Sequence, residues 1–179
     1  LLDVESQRPG EDETTAAMRL VERVLKNYPR AFELIIADGL YTRSNFFKLA
    51  CDHGKEVLTV LKDERRDLLQ DAQGLFNTEE PTIIQQGCTQ WQWWDIEHFT
   101  SWTQVDREVR VVRSLETTTI RRQLSKKEEQ ETSDWIWVTT LSQQKVCTKD
   151  VVNLGHGRWD IENKELNELV NNWNADHVY

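Results

Sequence analysis

The chain has 179 residues, of which 38% are hydrophobic, and a formal net charge of −9 at pH 7. That length suffices for one hydrophobic core, with or without an insertion, and the acidic balance argues against an indiscriminate nucleic-acid binder, which needs a basic face. Its three cysteines are too widely spaced for a zinc site or a disulfide framework. The sequence shows no membrane span and no signal peptide, so we expect a soluble cytoplasmic protein.

The first third of the chain has the pattern of alternating strands and helices. We predict a strand over 1–5, then a helix that begins at an acidic stretch and ends before Pro29. A strand over 32–37, a helix capped by Thr42 or Ser44 and ended by Gly54, and a strand over 57–61 follow. This order predicts an α/β core with at least some parallel strand pairing.

The middle of the chain changes texture after a predicted helix through Leu68 and Phe76. Apolar residues then alternate with polar ones, as in Trp91-x-Trp93 and Val109-x-Val111, which is typical of strands. We therefore predict an antiparallel β-rich insertion. Large aromatic residues in a small sheet usually belong to its core, and that interpretation applies to the six tryptophans of this region: Trp91, Trp93, Trp94, Trp102, Trp135 and Trp137.

Two acidic residues are candidates for chemistry. Asp38 ends a short apolar run, so we expect it at the C-terminal end of a buried strand, where open α/β sheets bind ligands; the alternative is an ordinary Asp-Gly turn. Glu162 shares a helical face with Arg158 and with the apolar residues Leu166 and Leu169. The alternative here is a surface i,i+4 ion pair, although the order Arg then Glu is the weaker one.

The segments around these acids carry a family resemblance. They are Ala37-Asp38-Gly39-Leu40-Tyr41 and Arg158-Trp159-x-Ile161-Glu162-Asn163, the latter followed by Asn167, Leu169, Trp173 and Asp176-His177. Together with 109–114 and 135–141, they resemble the DDE transposases of bacterial insertion sequences, specifically the group with a β-rich insertion between the second and third acids.

The resemblance implies a ribonuclease-H-like mixed-sheet core interrupted by the β-rich insertion. Residues 1–67 would form the first part of this core, 68–148 the insertion, and 149–179 the helix with the third acid. The family's first acid lies on a strand that two further strands follow before the first helix. Only one strand is predicted here before that helix, so Asp3 corresponds to a later strand. We expect the first acid upstream of Leu1 and this chain to be an N-terminally truncated, inactive fragment.

The resemblance also implies roles for individual residues. Asp38 and Glu162 would be the second and third catalytic acids and would ligate Mg²⁺ or Mn²⁺ for two-metal phosphodiester chemistry. Arg158 would bind phosphate as part of a Tyr-x-x-Arg-x-x-x-Glu signature. Gly155 stands in the place of that tyrosine, and Leu169 in the place of the signature's lysine. Further DNA contacts are expected from Trp135 or Trp137, stacked on a flipped base, and from Arg110 and Arg113 in a basic stretch.

The implied partner is double-stranded DNA, both transposon ends and target, bound by a homodimer that lies at the nucleoid and not at a membrane. The alternative is a catalytically inactive remnant that binds DNA or another transposase copy. A third possibility, a ribonuclease-H-like nuclease of other purpose, is disfavoured by the tryptophan-rich insertion.

Overall fold

The computed structural model describes residues 2–62, 66–121 and 128–160. Within these ranges it is an α/β structure with four α-helices and one six-stranded mixed sheet, which confirms the predicted α/β class, while the ribonuclease-H-like identity of the core stays a prediction. No helix there has both the length and the apolar character needed to cross a membrane. The elements in chain order are α1 (Glu13–Asn27), β1 (Leu34–Ala37), a 3₁₀ helix (Gly39–Tyr41), α2 (Ser44–Asp52), β2 (Glu56–Val60), α3 (Arg66–Phe76), β3 (Thr82–Gln86), β4 (Thr89–Phe99), β5 (Val109–Arg121), β6 (Glu128–Thr139) and α4 (Thr148–Asp160).

The strand order in the sheet is β1-β2-β6-β5-β4-β3. The pair β1/β2 is parallel, as predicted, and all other neighbours are antiparallel, as predicted for the β-rich region. β6 returns to the first part of the chain and pairs with β2, with Leu58 opposite Thr139. The β-rich strands therefore continue the sheet that β1 and β2 begin. The division at residues 67 and 148 stays a prediction.

Successive residues of each strand pack on opposite faces of the sheet, as the pleat requires. Val57 joins a large apolar cluster with residues of α2 and α3, and Met18 and Val21 of α1 pack against that cluster. Leu58 joins a smaller cluster with Val151 and Val152 of α4. We call these two sides the α1–α3 face and the α4 face.

The N-terminal segment differs from the prediction. Residues 2–7 form no strand, and Leu2 and Val4 are 51% and 65% exposed. The Asp3 carboxylate accepts a hydrogen bond from Arg23 Nε at 2.5 Å, and the Glu5 carboxylate binds both Arg19 and Arg23. These bonds hold the segment along α1 instead of in the sheet. The predicted strand is therefore wrong for residues 2–5.

The structure confirms the predicted acidic start of α1 and corrects the predicted cap of α2. Asp12 caps α1 by accepting a hydrogen bond from Thr15 N at 2.9 Å, in agreement with the acidic start predicted for this helix. The cap position of α2 is occupied by Arg43, which makes no side-chain capping bond, so the prediction of Thr42 or Ser44 as the cap is wrong. The Thr42 hydroxyl is buried instead and donates to the Val60 carbonyl at 2.8 Å, because β2 lies next to it.

Candidate functional site

Asp38 follows the last residue of β1 and lies at the C-terminal edge of the parallel strand pair, as predicted. One carboxylate oxygen, Oδ1, accepts a hydrogen bond from Leu40 N at 2.8 Å, which forms the turn into the 3₁₀ helix. Among the described residues, no hydrogen bond reaches the other oxygen, Oδ2. Asp38 thus has the turn-forming role and one oxygen that no hydrogen bond from the described residues uses.

Two neighbours shape the surroundings of Asp38. Gly39 is buried, and a Cβ atom at this position would lie 2.7 Å from Cδ of Lys62. The Tyr41 hydroxyl donates a hydrogen bond to the Glu13 carboxylate at 2.6 Å. Burial raises the pKa of Tyr41, and the negative charges of Glu13 and Asp38 raise it further. Tyr41 is therefore a protonated donor throughout the physiological pH range.

Helix α4 lies beside β1. A cavity of about 460 Å³ is lined on the strand side by Ile36 and on the helix side by α4 residues that include Leu154, Gly157 and Arg158. The last described turn of α4 therefore lies near the strand that ends at Asp38. Glu162 lies outside the described residues, so its predicted convergence with Asp38 stays a prediction.

The prediction of a metal site is also untested. Within 2–62, 66–121 and 128–160, the structure contains no group of three or more His, Cys, Asp or Glu residues arranged to hold a metal ion. Only one of the two predicted ligands, Asp38, falls in these ranges. This finding therefore bears on the rest of the described fold and leaves the predicted pair untested.

Arg110, predicted to contact DNA, is bound inside the protein. Its side chain is 2% exposed, and Nε donates to Asp95 Oδ1 at 2.7 Å while Nη1 donates to the Val146 carbonyl at 2.8 Å. The Thr148 hydroxyl donates to Asp95 Oδ2 at 2.6 Å. Burial alone would raise the pKa of Asp95, but the bonds from Arg110, Thr148 and Gln143 lower it below its usual value. This network joins β4 and β5 to the start of α4.

Arg113 also has partners within the chain. Its guanidinium donates to both oxygens of Asp134 on β6, at 2.9 and 2.7 Å, and lies over the Trp94 ring, 4.8 Å from the centroid. A phosphate would have to compete with Asp134 for this side chain, and with Asp95 for Arg110. The assignment of both arginines to DNA contact stays a prediction that requires these pairs to open.

The two tryptophans predicted to stack on a base differ in accessibility. Trp137 is 1% exposed and lies under α4, where any side chain at Gly155 would overlap its indole ring. Trp135 is half-buried and lies parallel to Trp137, with ring centroids 6.0 Å apart. Of the two, Trp135 is the more exposed. Trp94 and Trp102 are buried, as the core interpretation expects.

The structure adds a polar cluster that the sequence interpretation did not contain. His156 Nε2 lies 2.7 Å from Glu116 Oε1, and the Ser114 hydroxyl donates to the same oxygen at 2.9 Å. Trp93 Nε1 donates to Ser114 Oγ at 3.0 Å. Burial acts to raise the pKa of Glu116, but His156, Ser114 and Trp91 lower it more. The available sequence signal was the spacing of Ser114 and Glu116, which places two polar residues on one sheet face.

Comparisons with known proteins do not assign the chain. No protein-family model matches it, and a search of curated proteins also found no match. The resemblance to DDE transposases therefore depends on the residues quoted from the sequence.

Proposed function

We propose that this chain is part of the catalytic domain of a DDE transposase with a ribonuclease-H-like core. The reaction is metal-dependent cleavage and strand transfer of DNA at transposon ends. The observation that carries this proposal is the position of α4, which approaches Glu162 in sequence and lies beside the strand that ends at Asp38.

The geometry supports a shared site for the two acids. Gly157 and Arg158, in the last described turns of α4, line one cavity with Ile36, two residues before Asp38. Glu162 follows Arg158 by four residues. Glu162 follows Asp38 by 124 residues in sequence, and the β-rich strands lie between the two in the chain.

The donor set suits a hard divalent cation. Carboxylate oxygens are the ligands that Mg²⁺ and Mn²⁺ prefer, and Oδ2 of Asp38 accepts no hydrogen bond from the described residues. Two such ions about 3.5–4 Å apart would activate a water or a 3′-hydroxyl and stabilise the leaving oxygen of the phosphodiester. Asp38 and Glu162 would hold the ions, and no side chain of the chain is required as a covalent nucleophile.

Other residues would bind the DNA. Arg158 is suited to phosphate because its guanidinium can form two parallel hydrogen bonds. Trp135 can offer a half-buried indole to an unstacked base, a contact worth about 1–3 kcal/mol. We propose double-stranded DNA as substrate and a homodimer as the form that binds it.

The test uses the complete protein that contains this chain, with a duplex made from the DNA that flanks its coding sequence. We expect Asp38→Asn and Glu162→Gln to abolish strand cleavage in Mg²⁺ and to leave DNA affinity within a few-fold, because these changes remove metal ligands and no phosphate contact. Cleavage is measured on end-labelled strands and affinity by fluorescence anisotropy.

Asp52→Asn is the matched control. This residue is an exposed aspartate at the end of α2, before the start of β2, and so lies toward the opposite edge of the sheet. It should cleave at the wild-type rate. Cleavage by Asp38→Asn at a rate comparable to wild type would contradict the site assignment.

The alternative is a catalytically inactive remnant that binds DNA or a transposase partner. It is favoured by the ion pairs that Arg110 and Arg113 form within the protein, because these pairs occupy two side chains that were predicted to bind DNA. The same assay, carried out with Mg²⁺ and with Mn²⁺, separates the two functions, since the remnant would bind the duplex without cleaving it.

A further inference from the structure

We propose that Lys62 binds the DNA phosphate next to the bond that is cut and holds the strand against Asp38. This inference rests on the proposed function and adds a positioning residue to its site. The residue belongs to neither of the motifs that suggested the function.

The parallel pairing of β1 and β2 brings Lys62 to Asp38. Ala37 lies opposite Thr59 in the register, so the two strands end at the same edge of the sheet. Asp38 follows the first strand directly, and Lys62 comes two residues after the end of the second. The two strands thus place an acidic and a basic residue at the same edge of the sheet, although they are 24 residues apart in sequence.

Gly39 fixes the course of the lysine stem. A Cβ atom at Gly39 would lie 2.7 Å from Cδ, 3.0 Å from Cε and 3.0 Å from Cγ of Lys62. The stem therefore lies directly on the backbone next to Asp38, in space that any larger residue would fill. The hydrocarbon part of Lys62 covers Gly39 while its ammonium reaches solvent, the usual arrangement of a long cationic side chain.

Lys62 forms no ion pair with the described residues. No carboxylate of the described residues forms an ion pair with its ammonium, even though the chain is strongly acidic. Eight other cations of the described residues have such a partner: Arg19, Arg23, Arg43, Lys48, Arg107, Arg110, Arg113 and Lys145. An ammonium without an ion pair, on a stem that lies against the residue after Asp38, is suited to bind an anionic phosphate oxygen of DNA held at this edge of the sheet.

The experiment compares Lys62→Ala, Lys62→Arg and Lys26→Ala in the complete protein, on the same flanking-DNA duplex with Mg²⁺. Lys26 is an exposed lysine in the last turn of α1, which leads to the opposite end of β1, so its removal changes the net charge equally. Cleavage rate and the salt dependence of DNA binding are both measured, and thermal unfolding confirms that each variant is folded.

We expect Lys62→Ala to slow cleavage by about 10- to 100-fold, as befits loss of one charge-assisted hydrogen bond. The slope of log affinity against log salt should fall by about 0.9, the value for one lost phosphate contact. Lys62→Arg should restore most of the rate, and Lys26→Ala should match wild type in both measurements.

Two results would overturn the inference, and they differ in kind. If wild type cleaves and Lys62→Ala cleaves as fast as Lys26→Ala, Lys62 has no such role and the proposed function stands. If wild type binds the duplex without cleaving it, the proposed function fails and the role of Lys62 fails with it.

Discussion

On the α1–α3 face, Phe47, Ala50 and Val57 are fully buried in a continuous apolar cluster. On the α4 face, the apolar cluster is smaller and is surrounded by polar networks, in which Arg110 binds Asp95 and His156 binds Glu116. An apolar core tolerates small shifts of a helix, whereas buried polar groups must each meet a partner in one position. The contrast implies that α4, the helix proposed to position the third acid, is held in a single register.

The largest expected effect is on the α1–α3 face. Phe47 is 0% exposed and its ring lies 4.8 Å from that of Trp102. Phe47→Ala should lower the free energy of unfolding by about 3–5 kcal/mol, because it leaves a cavity that the packed helices cannot fill. Urea unfolding followed by tryptophan fluorescence measures this loss. Leu75→Ala on α3, a 40% exposed position, is the control and should cost far less. Equal losses would show that Phe47 does not lie in a tightly packed core.

Breaking the ion pair of the α4 face should cost slightly less but be reversible by a second change. Arg110→Met leaves the Asp95 carboxylate, 11% exposed, without its main partner. We expect a loss toward the lower end of about 3–5 kcal/mol. Adding Asp95→Leu should recover much of this lost stability, since the second change removes the unpaired, buried carboxylate. A double-mutant cycle from urea midpoints tests this, and additive losses would show that the pair is not coupled.

Two glycines of α4 allow a sharper test of its register. Gly155→Ala places a methyl group in the space of the Trp137 ring, and it should lower the free energy of unfolding by about 1–3 kcal/mol. Gly157→Ala meets no atom of the described residues within 4 Å and should be neutral or stabilising by up to ~1 kcal/mol, because alanine favours helices. Thermal unfolding of the two variants measures the difference. If Gly155→Ala is as stable as Gly157→Ala, α4 can shift freely.

The smallest effect concerns pH. The pKa of Asp95 is lowered in the folded state, so its contribution to stability is present above the unfolded pKa of about 3.9 and is lost as pH falls through the folded value. The stability difference between wild type and Asp95→Asn should therefore be constant from pH 7 to about 5 and shrink below about 4. Urea midpoints at each pH give this difference. A difference that is unchanged at pH 3 would show that the pKa of Asp95 is the same in the folded and unfolded states.

Short-range patterns predicted much of the fold. The apolar run before Asp38 and the run over 57–61 became neighbouring strands, and the helix through Leu68 and Phe76 was also correct. These elements follow from local periodicity and turn chemistry, which the sequence carries directly. The strand predicted over 1–5 was wrong because Leu2 and Val4 alternate with Asp3 as in a strand, while the deciding contacts come from Arg19 and Arg23 on α1.

The candidate site was less accessible to sequence reasoning. The position of Asp38 was predictable because a strand ending in Asp-Gly places it. The partners of Arg110 and Arg113 depend on strand register, since Asp95 and Asp134 lie on the two strands that flank β5. Register is set by the whole sheet and cannot be read from one segment. The stem of Lys62 over Gly39 likewise exists only because two strands end at the same edge.

The pairing of β6 with β2 has a consequence for the synthesis of the protein on the ribosome. Leu58 meets Thr139, which is synthesised about eighty residues later. At about 5–20 residues per second, that interval lasts about 4–16 s. Throughout it, the nascent chain carries β2 with an unpaired edge of backbone donors and acceptors, which is a template for pairing with another chain. Pairing with β6 covers that edge and ends the period in which β2 can pair with another chain.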